Sequence, residues 1–189
     1  MRKIIYWVSA LVIGVAIGLK AFTQASSWNN ADRGLNNGVW TTNTAYGDVN
    51  ADALTKAAVA VSGLLALKAS ETIYFNTHLD SSGEPLSDLC EYAIEGTTPD
   101  ARWSSITLYG EDHFLIPNAW NRYSVFLPEA GDPFTFKITP EGAGDAHILA
   151  GAGGRNLALT LRIYNPSKTV YQNLDTIDLP LIRRMGCQS

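Results

Sequence analysis

The sequence predicts a mainly β fold, a jelly-roll-like β-sandwich with one packed α-helix, preceded by an N-terminal transmembrane helix or signal segment. Three observations carry that expectation. An uncharged apolar run opens the chain from Ile4 to Leu19. A single stretch with apolar spacings of three and four lies between Asn50 and Ser70. From Thr72 onward, period-two alternation recurs between turn clusters rich in Gly, Pro and Asp. At 189 residues the chain is long enough for one full hydrophobic core and too short for two comfortable ones. With 46% apolar and 17% charged residues, its composition is that of an ordered globular protein.

The opening run lies behind Arg2-Lys3 and ahead of Lys20. As a helix it spans about 24 Å against a hydrocarbon core of about 30 Å. Letting Lys20 snorkel and adding Ala21 and Phe22 brings it to about 28 Å, so residues 4–22 are expected to meet the membrane. Thr23-Gln24-Ala25 is a small-x-small sequence, which keeps a cleaved signal peptide open as the alternative. The basic pair before the run favours a cytoplasmic N-terminus, because cytoplasmic flanks retain Lys and Arg. Two locations follow: a single-pass protein of a bacterial inner membrane with its domain in the periplasm, or a periplasmic protein released by cleavage. In either, Cys90 and Cys187 sit in an oxidising space and are expected to form a disulfide, two buried thiols being the other reading. The expected layout is residues 1–25 as anchor or signal, 26–38 as a Ser-, Asn- and Gly-rich linker, and 39–189 as the sandwich domain.

Within that domain Leu54, Ala57, Ala58, Val61, Leu64 and Leu65 mark one helix, from about Asn50 to Leu67. Asn50 is its N-cap by residue type, Asp52 lies in its first turn, and Gly63 is a costly interior position. Ile73, Phe75, Thr77 and Leu79 then share one face of a strand, opposite Tyr74, Asn76 and His78. Further strands are expected where Cys90, Tyr92 and Ile94 alternate, and over Trp103–Tyr109, Arg122–Leu127, Phe134–Thr139 and Leu157–Tyr164, with a last one near Leu179–Ile182. Short strands separated by turns rather than helices point to antiparallel pairing.

Beyond residue 25, 11 Lys and Arg face 18 Asp and Glu, a balance of −7. A surface that acidic repels phosphate backbones and carries no basic stripe interleaved with aromatics, which argues against a nucleic-acid partner. His78, His113 and His147 stand 35 and 34 residues apart with no HxH, HExxH or CxxC near them, so neither a metal nor a cofactor is expected. No GxSxG elbow is present, Ser104-Ser105 lies inside an expected strand, and Asp88 and Glu91 flank Cys90, an arrangement that does not activate a thiol. Gly151-Ala152-Gly153-Gly154-Arg155 invites a phosphate-loop reading. It precedes a strand and lacks the Gly-Lys-Ser/Thr ending, so a flexible hairpin loop is expected instead.

The densest polar and aromatic stretch runs from Arg102 to Tyr123. It contains Trp103-Ser104-Ser105-Ile106-Thr107-Leu108-Tyr109 and Asn118-Ala119-Trp120-Asn121-Arg122-Tyr123. Tyr46-Gly47, Glu71 with Tyr74-Phe75, Asp80 with Gly83-Glu84-Pro85-Leu86, Leu161-Arg162-Ile163-Tyr164-Asn165-Pro166 and Pro180 complete a pattern over about residues 39 to 184. In these residues and their order the chain resembles the uncharacterised bacterial family called domain of unknown function 1214, with one extra residue after Ser104. Where such proteins carry Asn-Trp-Leu-Pro before the last long strand, this chain has Gly154-Arg155-Asn156-Leu157. The resemblance implies a β-sandwich, and larger relatives look like two-domain proteins that also carry domain 1254. It implies no established reaction, and no catalytic residue is carried over.

Two functions compete. One is a non-enzymatic envelope domain, binding or structural, whose partner is a small molecule or an envelope protein, with a homo-oligomer left open. Its candidate ligand-binding residues are Trp103, Tyr109, His113, Arg122 and Tyr123. The other is a periplasmic hydrolase or other enzyme using Tyr109, Asp112, His113, Arg122 and Tyr123, with a neutral His beside a carboxylate as general base. Arg122 separates the two. It either stacks on Trp103 or Trp120 while pairing with a carboxylate, or grips an anion with its planar fork.

Overall fold

A computed structural model describes residues 2–61, 65–140, 147–151 and 153–188. The apolar opening forms the first part of one helix, α1 (Arg2–Arg33), at 1.5 Å per residue about 48 Å long. Its Lys3–Gln24 segment is long and apolar enough to cross a membrane, and none of it is buried against the rest of the protein. The stretch 26–38, read from composition as a linker, is helical to Arg33 and then enters β1 (Leu35–Asn37). β1 pairs antiparallel with β2 (Trp40–Thr42), so the ordered domain starts ahead of Val39. The Asn37 side chain is engaged, donating to the Leu174 and Ile177 carbonyls at 3.3 and 2.7 Å.

The helix expected from Asn50 to Leu67 is the shorter α2 (Ala53–Val61). Asp52, not Asn50, caps it. Oδ1 of Asp52 accepts from the Leu54 and Thr55 amides, both at 3.0 Å, and Oδ2 accepts from the Thr55 hydroxyl. Asn50 is drawn off into a turn, where its amide donates to Asp48. Gly63 lies outside the described residues, and residues 65–68 are not helical. A backbone contact explains their course: Gly47, at φ +71°, approaches the Leu67 carbonyl so closely that a Cβ there would collide with it. The Leu67 amide donates at 3.0 Å to the Tyr74 hydroxyl.

The remaining elements are β3 (Thr72–Thr77), β4 (Cys90–Thr97), β5 (Ala101–Gly110), β6 (Ser124–Phe126), β7 (Pro133–Thr139), β8 (Ile148–Leu149), β9 (Leu157–Pro166), α3 (Lys168–Gln172) and β10 (Leu181–Cys187). They form two sheets, ordered β1-β2-β3-β9-β5-β6 and β10-β4-β7-β8. Among the described residues the sandwich is therefore built from six and four strands, where a jelly roll pairs eight in two Greek keys. Pairing is antiparallel throughout except at β7 and β8, which run parallel, against the expectation of antiparallel neighbours only. α3 is a second small helix of the domain, capped by the Ser167 side chain. The strand expected over Arg122–Leu127 is shortened at its start by Asn118, whose Oδ1 accepts from the Trp120 and Arg122 amides and keeps that segment in a turn.

The alternation legible in the sequence produces the core. Ile73 and Phe75 of β3, Leu157, Leu159, Leu161 and Ile163 of β9, and Ile106 and Leu108 of β5 face Tyr92, Ile94, Phe136, Ile138 and Ile182 of the smaller sheet. Trp40 ties the layers, donating from Nε1 to the Pro180 carbonyl at 2.9 Å from a buried position. Cys187, read as part of a polar tail, lies in β10 directly opposite Cys90 and is joined to it by a disulfide.

Two buried carboxylates hold turns at the edge of this core. Asp80 accepts from the Ser82 amide and hydroxyl and from the Glu84 amide, and pairs with Arg184 at 2.9 Å. Burial pushes its carboxyl up, but those hydrogen bonds and the Arg184 guanidinium outweigh it, so its pKa lies below the ordinary carboxylate value. A depressed folded-state pKa means stability that is fully present above about pH 4 and lost as pH falls through the folded value. Asp80→Asn is accordingly expected to flatten the acid limb of a melting-temperature-versus-pH curve below about pH 4. An acid limb identical to that of the native protein would show that Asp80 does not govern it. Asp88 accepts from the Gly153 and Arg155 amides at 2.9 and 2.8 Å. Two amides of the glycine-rich stretch are thus held by an internal carboxylate.

Candidate functional site

The face of the six-stranded sheet turned away from the core is polar and aromatic where the inner face is aliphatic. Alternation brings Tyr74 and Asn76 of β3, Thr160, Arg162 and Tyr164 of β9, and Trp103, Ser105, Thr107 and Tyr109 of β5 to this side. Register places Tyr74 beside Arg162 and Arg162 beside Ser105, with Asn76, Thr160 and Thr107 in the adjoining row. Arg162 crosses those rows diagonally. Its Nη1 donates to the Thr107 hydroxyl at 3.0 Å and its Nη2 to the Tyr109 hydroxyl at 2.7 Å. The guanidinium carbon also stands 5.6 Å from the Tyr109 ring centre and 6.0 Å from that of Tyr74, within cation–π range. Among the described residues no carboxylate pairs with Arg162.

One row further along, Tyr164 packs on Trp103 with ring centres 4.5 Å apart, and Trp103 on Phe126 at 5.2 Å. Trp103 and Phe126 remain 40% and 67% exposed, so this aromatic row is open to solvent beside a half-buried cation. Burial raises the Tyr164 pKa, Arg162 works against that rise, and the Tyr74 and Tyr109 hydroxyls add to it. The phenol therefore stays protonated at neutral pH.

The residues singled out from the sequence divide between this face and the loops beside it. Trp103 and Tyr109 belong to it. Arg122 lies in the loop before β6 with its guanidinium carbon 4.8 Å from the Trp120 ring centre, one of the two stacking partners, Trp103 or Trp120, weighed from sequence. The Tyr123 hydroxyl donates to Asn121. His113 occupies a turn at φ 64°, where the Asp112 carboxylate folds back to accept from the Phe114 amide rather than turning toward an imidazole. His113 instead bears on His78, whose pKa is lowered by burial and then by His113, against a bond to the Leu157 backbone. The Tyr109 hydroxyl accepts from Arg162. Ser104 faces the core, and both Ser104 and Ser105 are buried.

The centre of the face, Arg162, was not a sequence candidate. Its signal was present, since the alternation that sends Leu161 and Ile163 inward sends Arg162 outward into a row of hydroxyl-bearing neighbours. What the sequence does not display is the register that sets Thr107 and Tyr109 within its reach.

The VPA0106 protein from Vibrio parahaemolyticus shares the fold, with a TM-score of 0.56 at 21% identity over 72% of this chain and 36% of its own. A putative uncharacterized protein from Burkholderia cenocepacia gives a TM-score of 0.43 at 17% identity, over 60% of this chain and 29% of its own. The chain thus spans about a third of the length of these solved proteins. No curated protein matches it. Residues 71–168, more than half of the sequence, match the family described as protein of unknown function DUF1214, and the chain belongs to that family.

Proposed function

We propose that this protein is a membrane-tethered periplasmic domain with a binding rather than a catalytic role, α1 serving as an uncleaved anchor. The observation that carries the reading is the continuity of α1: its apolar Lys3–Gln24 segment is unburied, and the same helix runs on to Arg33, with Gly34 alone between it and the first strand. An apolar helix of that length has no core to enter and is matched by a bilayer. The Cys90–Cys187 disulfide suits an oxidising compartment. The polar outer face, with Trp103 and Tyr109 among its residues, is the surface left for a ligand or envelope partner.

Fractionation of cells tests the location. The protein is expected to stay with membranes through a high-salt wash, to begin at its encoded N-terminus, and to resist maleimide labelling unless it is first reduced. N-terminal sequencing that starts at Ser26 would replace the anchor with a cleaved signal, and freely labelled thiols in unreduced protein would place the domain in the cytoplasm.

A further inference from the structure

We propose that the outer face of the six-stranded sheet binds an oxyanion, a carboxylate or phosphate group, through Arg162, Tyr109, Thr107 and Tyr74, with the body of the ligand lying on the aromatic row of Trp103 and Phe126. This deepens the binding role proposed above and does not depend on where the domain resides.

The direction of the hydrogen bonds singles out an anion. A hydroxyl has one proton to give and two lone pairs to receive, whereas a guanidinium has five N–H groups and nothing to receive with. Thr107 and Tyr109 both accept from Arg162, and Tyr74 accepts from the Leu67 amide. All three hydroxyls therefore keep their own protons to donate, and two of the five Arg162 N–H groups are engaged. Next to them Asn76 accepts through Oδ1 from Thr160 at 2.8 Å, which leaves its amide NH2 as donor as well. The cluster has donors in excess and no carboxylate among the described residues to receive them. Tyr74 and Thr107 are buried, so bulk water reaches their hydroxyls poorly. An oxyanion, acceptor-only and matched to the guanidinium fork, fits such a set.

The body of the ligand follows from the neighbouring row. Tyr164 stands two residues from Arg162 on the same face of β9 and carries Trp103 and then Phe126 against it. Exposed rings flanking a half-buried cation suit an amphiphilic anion, with the head at Arg162 and the apolar part over Trp103. A free aromatic or aliphatic acid and a lipid phosphate share that chemistry.

The test uses the full chain in dodecyl maltoside micelles, which carry no phosphate, with tryptophan fluorescence as the readout. The probes are 3-phenylpropionate, its uncharged amide and inorganic phosphate. The acid is expected to bind saturably, phosphate more weakly, and the amide not at all. Arg162→Gln is expected to weaken the acid by about tenfold or more, as loss of a charge-assisted hydrogen bond does. Tyr109→Phe, which keeps the ring, is expected to weaken it less, and both variants are checked for native circular dichroism and melting. A parallel series in nanodiscs containing phosphatidylglycerol separates the sources. A fluorescence change that needs no added probe and is lost in Arg162→Gln identifies a lipid head group as occupant. Equal binding of acid and amide, undiminished binding by folded Arg162→Gln, or no saturable response in either micelles or discs overturns the proposal, and none of these outcomes touches the membrane location.

Discussion

Cys187→Ser is expected to lower the melting temperature of the oxidised protein by roughly 5–15 °C and to leave the reduced protein nearly unchanged. The cysteines are 97 residues apart in sequence, and closing a loop of that size removes unfolded-state entropy worth about 4.7 kcal/mol in the simple chain picture, with about 2–4 kcal/mol commonly realised. β10 needs that help. It is the edge strand of the smaller sheet, and Ile182 is its one buried residue, so little apolar area fastens it. Its other holds lie mostly before a register shift between Arg184 and Gly186 that interrupts the ladder to β4: a reciprocal pair of hydrogen bonds between Ser81 and Ile182, the Arg183–Glu95 pair, and Arg184 on Asp80 and the Pro85 carbonyl. Losing the bond is expected to free first the end beyond that shift, seen as faster amide exchange at Gly186 and Gln188. Thermal melts of native and variant protein, with and without reductant, decide the matter. Equal oxidised melting temperatures would mean that the bond adds nothing to the ladder.

How much of this was legible in the sequence depended on whether the deciding interaction was local. The strands around Phe75, Tyr92, Phe136 and Leu161 were legible because period-two alternation is a property of each segment alone. The cap of α2 was misassigned by two residues because Asn50 and Asp52 are both good capping types. The choice between them rests on the turn that Asp48 makes with Asn50, a competition between near-equal local bonds. β1, β2 and β8 are two or three residues long, too short to display a period at all. The candidate face was half legible. Trp103 and Tyr109 were found by the density of their surroundings, whereas Arg162 gains its meaning only from β5–β9 register, which joins residues more than 50 positions apart. Arg122 drew attention for the same density and turned out to stack on its near neighbour Trp120.

The glycine-rich loop is the case where local reading and structure diverge most, and it yields the second large effect: Asp88→Ala is expected to destabilise the protein by about 3–5 kcal/mol, lowering its melting temperature by roughly 10 °C. Residues 151 to 155 have the composition of an anion-binding loop, and backbone amides there do bind an anion, but it is the protein's own. Asp88 is 1% exposed, and its two oxygens take the Gly153 and Arg155 amides separately. Its own amide donates to the Arg155 carbonyl, and Ser87 bridges Asn156. Residues 153–156 are thereby clamped to the turn that opens β4, and Gly154, at φ +73°, supplies a backbone shape that other residues adopt only at a cost. Alanine removes two charge-assisted bonds and strands two amides that had been matched to a carboxylate, each bond being worth about 1.5–3 kcal/mol. Asp88→Asn, with one acceptor oxygen in place of two, is expected to lose at least half as much. Chemical denaturation of the three proteins measures the difference. An Asp88→Ala variant within about 1 kcal/mol of native stability, the net worth of one ordinary hydrogen bond, would show that the loop is held by something other than this carboxylate.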